Sequence, residues 1–166
     1  LCSSFSKTIA PGLRVGWIAP GRYLERVLHM KYISTGYTVN HTQLAAAEFI
    51  AQGHYQPHMR RMRTLYKANM DMFTCQVREH FPCDICVSRP QGGFLLWVEF
   101  PESFDALRLN AVVRRSGIQI AAGSLFSAAG KYRNCMRMNY ALPLTEETQH
   151  VLSVVGRAAQ QLLDEV

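Results

Sequence analysis

Between residues 56 and 81, Met59, Met62, Tyr66, Met70, Phe73 and Val77 recur three or four positions apart. That spacing lines one side of an α-helix with apolar groups. Arg60, Arg61, Arg63, Lys67 and Arg78 fall largely off the line. The segment therefore predicts a long amphipathic helix with a packed apolar side and a basic side in water. Two further uses attach to the same residues. Methionine-rich stripes also serve as adaptable binding faces, and the run HMRRMR could contact nucleic acid. Core packing and a solvated face are the simpler assignments.

After Pro82 the period changes. DICVSR and GFLLWVEFP predict strands around the turn PQGG. SFDALRLNAVVRRSG predicts a helix, with Ser103 or Asp105 at its start and Gly117 just past its end. IQIAAG and NCMRMNYAL predict two more strands. A terminal helix follows, with Thr145 as N-cap, acidic residues in its first turn and a stripe of Val151, Val154, Val155, Ala158 and Leu162. Upstream, LCSSF and residues 15–18 predict short strands. Residues 21–34 predict a short helix with Leu24, Val27, Leu28 and Tyr32 on one side. A further helix starts at His41 or Thr42 and stops at Gly53. The expected fold class is α+β: a fragment of one sheet with helices, then a small antiparallel or mixed sheet with helices on one face. The expected divisions are residues 1–40, 41–81 and 82–166.

The 166 residues make one domain, or one and part of another. With 48% apolar and 18% charged residues, the chain can bury a core and falls outside the disordered class. No apolar run reaches the ~18–20 residues that span a bilayer, so no membrane role is expected. The chain lacks an initiating Met and opens in structured-looking sequence, which leads us to expect a piece of a longer protein. The net charge of +6 permits phosphate or nucleic-acid partners without requiring them. Five cysteines at irregular spacing suit a reducing cytoplasm. Cys83 and Cys86 form a CxxC three residues after His80, but no second pair completes a zinc site. No metal is expected, and a short strand with alternating positions accounts for the pair.

The chemistry concentrates in SSFSKTIAPGLRVGW, residues 3–17. A phosphate is held well by hydroxyl donors, a guanidinium and the N–H groups of a tight loop. A reactive amine beside it can capture an aldehyde once its neutral form is reachable. Ser4, Ser6, Lys7 and Arg14 supply this set, and the Pro11, Gly12 pair supplies a turn that brings Arg14 back toward Lys7.

The stretch resembles the cofactor-lysine motif S-F-S-K-x-x-x-P-G-x-R-x-G of class I/II aminotransferases, the fold-type I pyridoxal-phosphate enzymes. The likeness covers essentially the whole chain. GHYQPHMRRMRTLYKANMDMF is similar to the G-x-Y-x-x-H-x-R-x-x-R-x-x-Y helix of MocR-type regulators, a GntR branch whose aminotransferase-like domain follows a winged helix. RPQGGFLLWVEFP resembles the family's P-x-G-G-x-F-x-W strand. GIQIAAGSLFS resembles its G-V-x-V-x-P-G-x-x-F segment, with Ala122 where proline is usual. CMRMNYAL resembles its late R-[LI]-x-[FY] strand.

The resemblance implies pyridoxal 5'-phosphate as cofactor, with Lys7 as the Schiff-base lysine. Ser4, Ser6 and Arg14 would hold the phosphate. Arg137 would clamp the carboxylate of an amino-acid or keto-acid ligand, and Gly92 and Gly93 would let backbone approach that ligand. Tyr37 and Asn40 sit where such families often bring a neighbouring-subunit loop to the cofactor, with no individual role implied. The family's aspartate on the pyridine nitrogen and its stacking ring lie upstream of the lysine. The expected whole is thus the C-terminal part of an aminotransferase-like domain: a remnant of the large-domain sheet, then the small domain. Two functions meet this chemistry, a cytoplasmic homodimeric regulator that touches DNA only through an N-terminal domain absent from this chain, or a free-standing aminotransferase. Both need Lys7 and Arg137; the GHYQPHMRRMR helix favours the regulator by analogy.

Overall fold

A computed structural model describes residues 1–165 of the chain. The residues group into two compact units, Leu1–Met62 and Arg63–Val166.

In the first unit, β1 (Cys2–Ser4) and β2 (Gly16–Ile18) pair antiparallel, with Cys2 opposite Ile18, Ser3 opposite Trp17 and Ser4 opposite Gly16. The chain between them makes two 3-10 turns, Phe5–Lys7 and Pro11–Leu13. Three helices follow: α1 (Leu24–Thr35), α2 (Asn40–Ala51) and the start of α3 (Tyr55–His80). The helix expected over residues 21–34 opens with a 3-10 turn, Gly21–Tyr23, and then becomes α-helical. Most of its apolar residues lie exposed, with only Val27 half-buried. Leu28 is 54% and Tyr32 71% exposed, and α1 buries nothing.

The second unit is built on a four-stranded sheet in the order β3-β4-β6-β5. Its strands are β3 (Cys86–Val87), β4 (Leu95–Glu99), β5 (Ala121–Ala122) and β6 (Cys135–Asn139), and every neighbouring pair is antiparallel. Period-two alternation divides its faces. Leu96 opposite Met138 and Val98 opposite Met136 face the core, while Trp97 opposite Arg137 takes the other side. The core is closed by Phe73 and Val77 of α3, Leu109 and Val113 of α4 (Ala106–Val113), and Leu152, Val155 and Leu162 of α5 (Glu146–Asp164). All three helices thus join one face of the sheet, and the fold is the expected α+β.

Local signals explain the helix ends. Asp105, not Ser103, caps α4: its carboxylate accepts the Leu107 N–H at 2.8 Å and pairs with Arg133 at 3.0 Å. Burial pushes this carboxyl up, but the hydrogen bonds from Arg133 and from the Leu107 and Arg108 amides outweigh it and hold the pKa below the usual aspartate value. Thr145 caps α5 by accepting the Thr148 N–H at 3.2 Å, as expected.

Two features depart from the apolar stripes. On α5, Val155, Ala158 and Leu162 of the expected stripe are buried together with Leu152 and Ala159, while Val151 and Val154 are half-buried at the margins. Gly156 is also buried, where α5 crosses the end of α3. A Cβ there would overlap the His80 carbonyl and meet the Phe81 ring at 3.1 Å. On α3 the buried set includes a polar group, Asn69, whose amide donates to the carbonyls of Tyr140 (3.0 Å) and Leu142 (3.3 Å). Those bonds fasten α3 to the chain leaving β6.

Gly156→Ala gains helix propensity yet inserts a methyl against rigid backbone. Overpacking of this kind costs about 1–3 kcal/mol, so the variant should unfold at lower denaturant concentration than wild type. Stability equal to wild type in a denaturant titration would contradict the close α3–α5 crossing.

Candidate functional site

The lysine loop is built by backbone hydrogen bonds before any side chain acts. Phe5 N–H donates to the Val15 carbonyl at 2.9 Å, continuing the β1–β2 pairing and closing the loop. The Phe5 carbonyl then accepts three N–H groups, from Thr8 (3.2 Å), Ile9 (2.8 Å) and Ala10 (3.3 Å). Ser4 caps the first 3-10 turn by accepting the Ser6 N–H on its Oγ at 3.2 Å. Its own hydroxyl hydrogen is left to donate elsewhere. Gly16 is required opposite Ser4, because a Cβ would come within 2.8 Å of the Ser3 carbonyl oxygen.

Ser4, Lys7 and Arg14 are exposed, whereas Ser6 and Val15 are buried. Arg14 has φ +50° and ψ +34°, the left-handed region that side-chain-bearing residues rarely adopt. Such backbone costs on the order of 1–3 kcal/mol and persists where surrounding structure enforces it. Here the second 3-10 turn on one side and β2 on the other hold it. No carboxylate lies within ion-pair distance of Arg14 among the described residues, and no Asp or Glu occurs before Glu25. Hydroxyls, an amine and a guanidinium on one loop, with no acid among them, fit a dianionic phosphate beside an aldehyde.

Arg137 lies on β6, opposite Trp97 of β4 and Ala121 of β5, on the sheet face away from the core. Its guanidinium carbon sits 4.3 Å from the Phe126 ring centroid. The Trp97 ring packs against Phe126 at 5.8 Å and against Tyr132 at 5.6 Å, both edge to face. Stacking on an aromatic face fixes the plane of the fork and leaves its N–H edges for a carboxylate. No acid occupies that position among the described residues. Gly92 and Gly93 form the bend before β4 and, with Arg63, Tyr66, Lys67 and Tyr140, line a cavity of about 440 Å³. Arg137 is not part of that lining. The lysine loop belongs to the first unit, and Arg137, Gly92 and Gly93 belong to the second.

Residues 1–155 match the aminotransferase class I and II family. The chain belongs to that family. Pyridoxal phosphate is the cofactor this membership implies. Among relatives, the chain is 54% identical over 99% of its length to the uncharacterized HTH-type transcriptional regulator YjiR of Escherichia coli (strain K12), of which it spans 35%. It is 29% identical over 98% of its length to a second such regulator of that strain, YdcR, again spanning 35%. Among solved structures, LysN, the α-aminoadipate aminotransferase of Thermus thermophilus, superposes with a TM-score of 0.90 at 26% identity. That structure holds N-(5'-phosphopyridoxyl)-L-leucine; the match covers 99% of this chain and 42% of LysN. The chain therefore spans about a third of the two regulators.

Two contacts of the lysine loop were left unmarked by the sequence. His58 Nε2 lies 2.8 Å from the Thr8 carbonyl oxygen, 50 residues away. The Thr8 hydroxyl is buried with no hydrogen-bond partner. The only local trace of His58 is its place at the head of HMRRMR. The three arginines of that run, Arg60, Arg61 and Arg63, are exposed, while His58 is half-buried.

A charge-assisted contact to a carboxylate is worth about 1.5–3 kcal/mol. Arg137→Ala in the full-length protein should therefore weaken amino-acid or keto-acid binding tenfold or more, with cofactor content close to wild type. Calorimetric titration of the loaded protein checks this, and unchanged affinity would remove Arg137 from the ligand site.

Proposed function

We propose that this chain is the lysine-bearing part of the aminotransferase-like effector domain of a MocR-type, GntR-family transcription regulator. It senses an amino acid, or pyridoxal phosphate itself, through Lys7. The observation that carries this reading is the 54% identity to an HTH-type regulator along 99% of the chain, about twice the 26% identity to LysN. The whole protein would be a cytoplasmic homodimer that contacts DNA through an N-terminal domain.

When bound, pyridoxal phosphate supplies an aldehyde that condenses with an amine, releasing water, and a ring that accepts electron density from the ligand's α-carbon. The Ser4 and Ser6 hydroxyls and the Arg14 guanidinium would hold its phosphate. Lys7 Nζ would be the amine that holds the cofactor, and as a free amine it could hold or move a proton at the ligand's α-carbon. Arg137 grips the ligand's carboxylate through two parallel N–H donors. Gly92 and Gly93 admit the ligand close to backbone.

A second reading, a free-standing aminotransferase, is favoured by the TM-score of 0.90 to LysN over nearly the whole chain. The two readings share Lys7 and Arg137 and differ in the consequence of ligand binding. The test uses the full-length protein with DNA from upstream of its own gene, pyridoxal phosphate and a panel of the twenty amino acids. At least one amino acid, or the cofactor alone, should change DNA affinity in wild type, and Lys7→Ala should abolish the response. Sustained keto-acid production with no DNA response would replace the regulator with the enzyme.

A further inference from the structure

We infer that His58 is a positioning residue for Lys7: from the first turns of α3 it holds the peptide that follows the lysine, and so sets where the amine can reach. The inference rests on Lys7 being the cofactor lysine.

The Thr8 carbonyl can only accept, so His58 Nε2, 2.8 Å away, carries the hydrogen. Thr8 is held at both of its backbone polar groups, its N–H by the Phe5 carbonyl at 3.2 Å and its carbonyl by His58. Its hydroxyl is already buried without a partner. Loss of the histidine donor would leave a second unpaired polar group at the same residue. The grip has another arm. Tyr55, three residues before His58 and on the same side of α3, packs its ring edge-on against Phe5 with centroids 6.2 Å apart. Phe5 and Thr8 flank the segment that holds Lys7. The first turns of one helix therefore touch the loop on either side of the lysine. His58 is itself held in place, its ring edge-on to Phe49 of α2 at 5.8 Å and 81°.

This arrangement is more than loop packing because of what it controls. A lysine side chain has four rotatable bonds, so its reach depends on where its Cα is anchored. Displacing a reacting group by about 1 Å can cost on the order of a hundredfold in rate.

The test uses the full-length protein loaded with pyridoxal phosphate, comparing wild type, His58→Phe and His58→Gln. Phenylalanine keeps a ring against Phe49 but offers no donor. Glutamine places an amide N–H at about the reach of Nε2. Three quantities are read: the rate at which the visible absorbance band forms on mixing with cofactor, the wavelength of that band, and the melting midpoint of the cofactor-free protein. His58→Phe should form the band at least tenfold more slowly and at a shifted wavelength. His58→Gln should recover most of the rate, with a cofactor-free midpoint at or above that of His58→Phe, whose Thr8 carbonyl has lost its donor. Should His58→Phe fail to fold, His58→Asn, whose amide stops one bond short of Thr8, takes its place and must show the same tenfold deficit. Wild-type kinetics in the donor-less variant, or a glutamine variant as slow as it, would overturn the positioning role. Failure of wild type to form any band would instead overturn the assignment of Lys7.

Discussion

The pairing of Cys2–Ser4 with Gly16–Ile18 is the constraint on which the candidate cofactor site depends. Three register pairs and the Phe5-to-Val15 hydrogen bond bring the two ends of the loop together. Everything inside then has little freedom. The Phe5 carbonyl gathers three amides, Ser4 caps the turn that presents Lys7, and Arg14 is pressed into the left-handed region just before β2. Gly16 makes the close approach possible, since any side chain there would strike the Ser3 carbonyl. The loop is thus shaped by main chain, so a cofactor held there would not bear the cost of ordering it.

A similar economy governs Arg137. Its strand alternates between burying methionines and presenting the guanidinium, so the packing of Met136 and Met138 that closes the core also fixes the face on which the charge emerges. Phe126 then fixes the plane of the fork. Strand and arginine are inseparable in this sense: a register slip by one residue would bury the cation and expose two methionines.

Periodic elements and contiguous chemistry were readable from sequence; polar contacts between distant residues were not. The α3 stripe, the four strands of the second unit, the Thr145 cap and the whole lysine loop each leave a local pattern. Family resemblance supplied the roles proposed for Arg137, Gly92 and Gly93. By contrast, nothing near Asn69 signals that it bonds to Tyr140, 71 residues on, and nothing near His58 points to Thr8. On α5, Val155, Ala158 and Leu162 of the expected stripe are buried, whereas Gly156, a point of close packing against the end of α3, leaves no apolar signal. The stripe on α1 is present but faces outward, a property of what surrounds a helix and not of its own residues.

The central claim is that the β1–β2 loop presents Lys7 as the amine that captures pyridoxal phosphate. Borohydride reduction of the cofactor-loaded full-length protein, followed by peptide mapping, tests it most directly. A stable pyridoxyl label on Lys7 is the predicted result. A label on another lysine, or none on a protein that holds the cofactor, would contradict it.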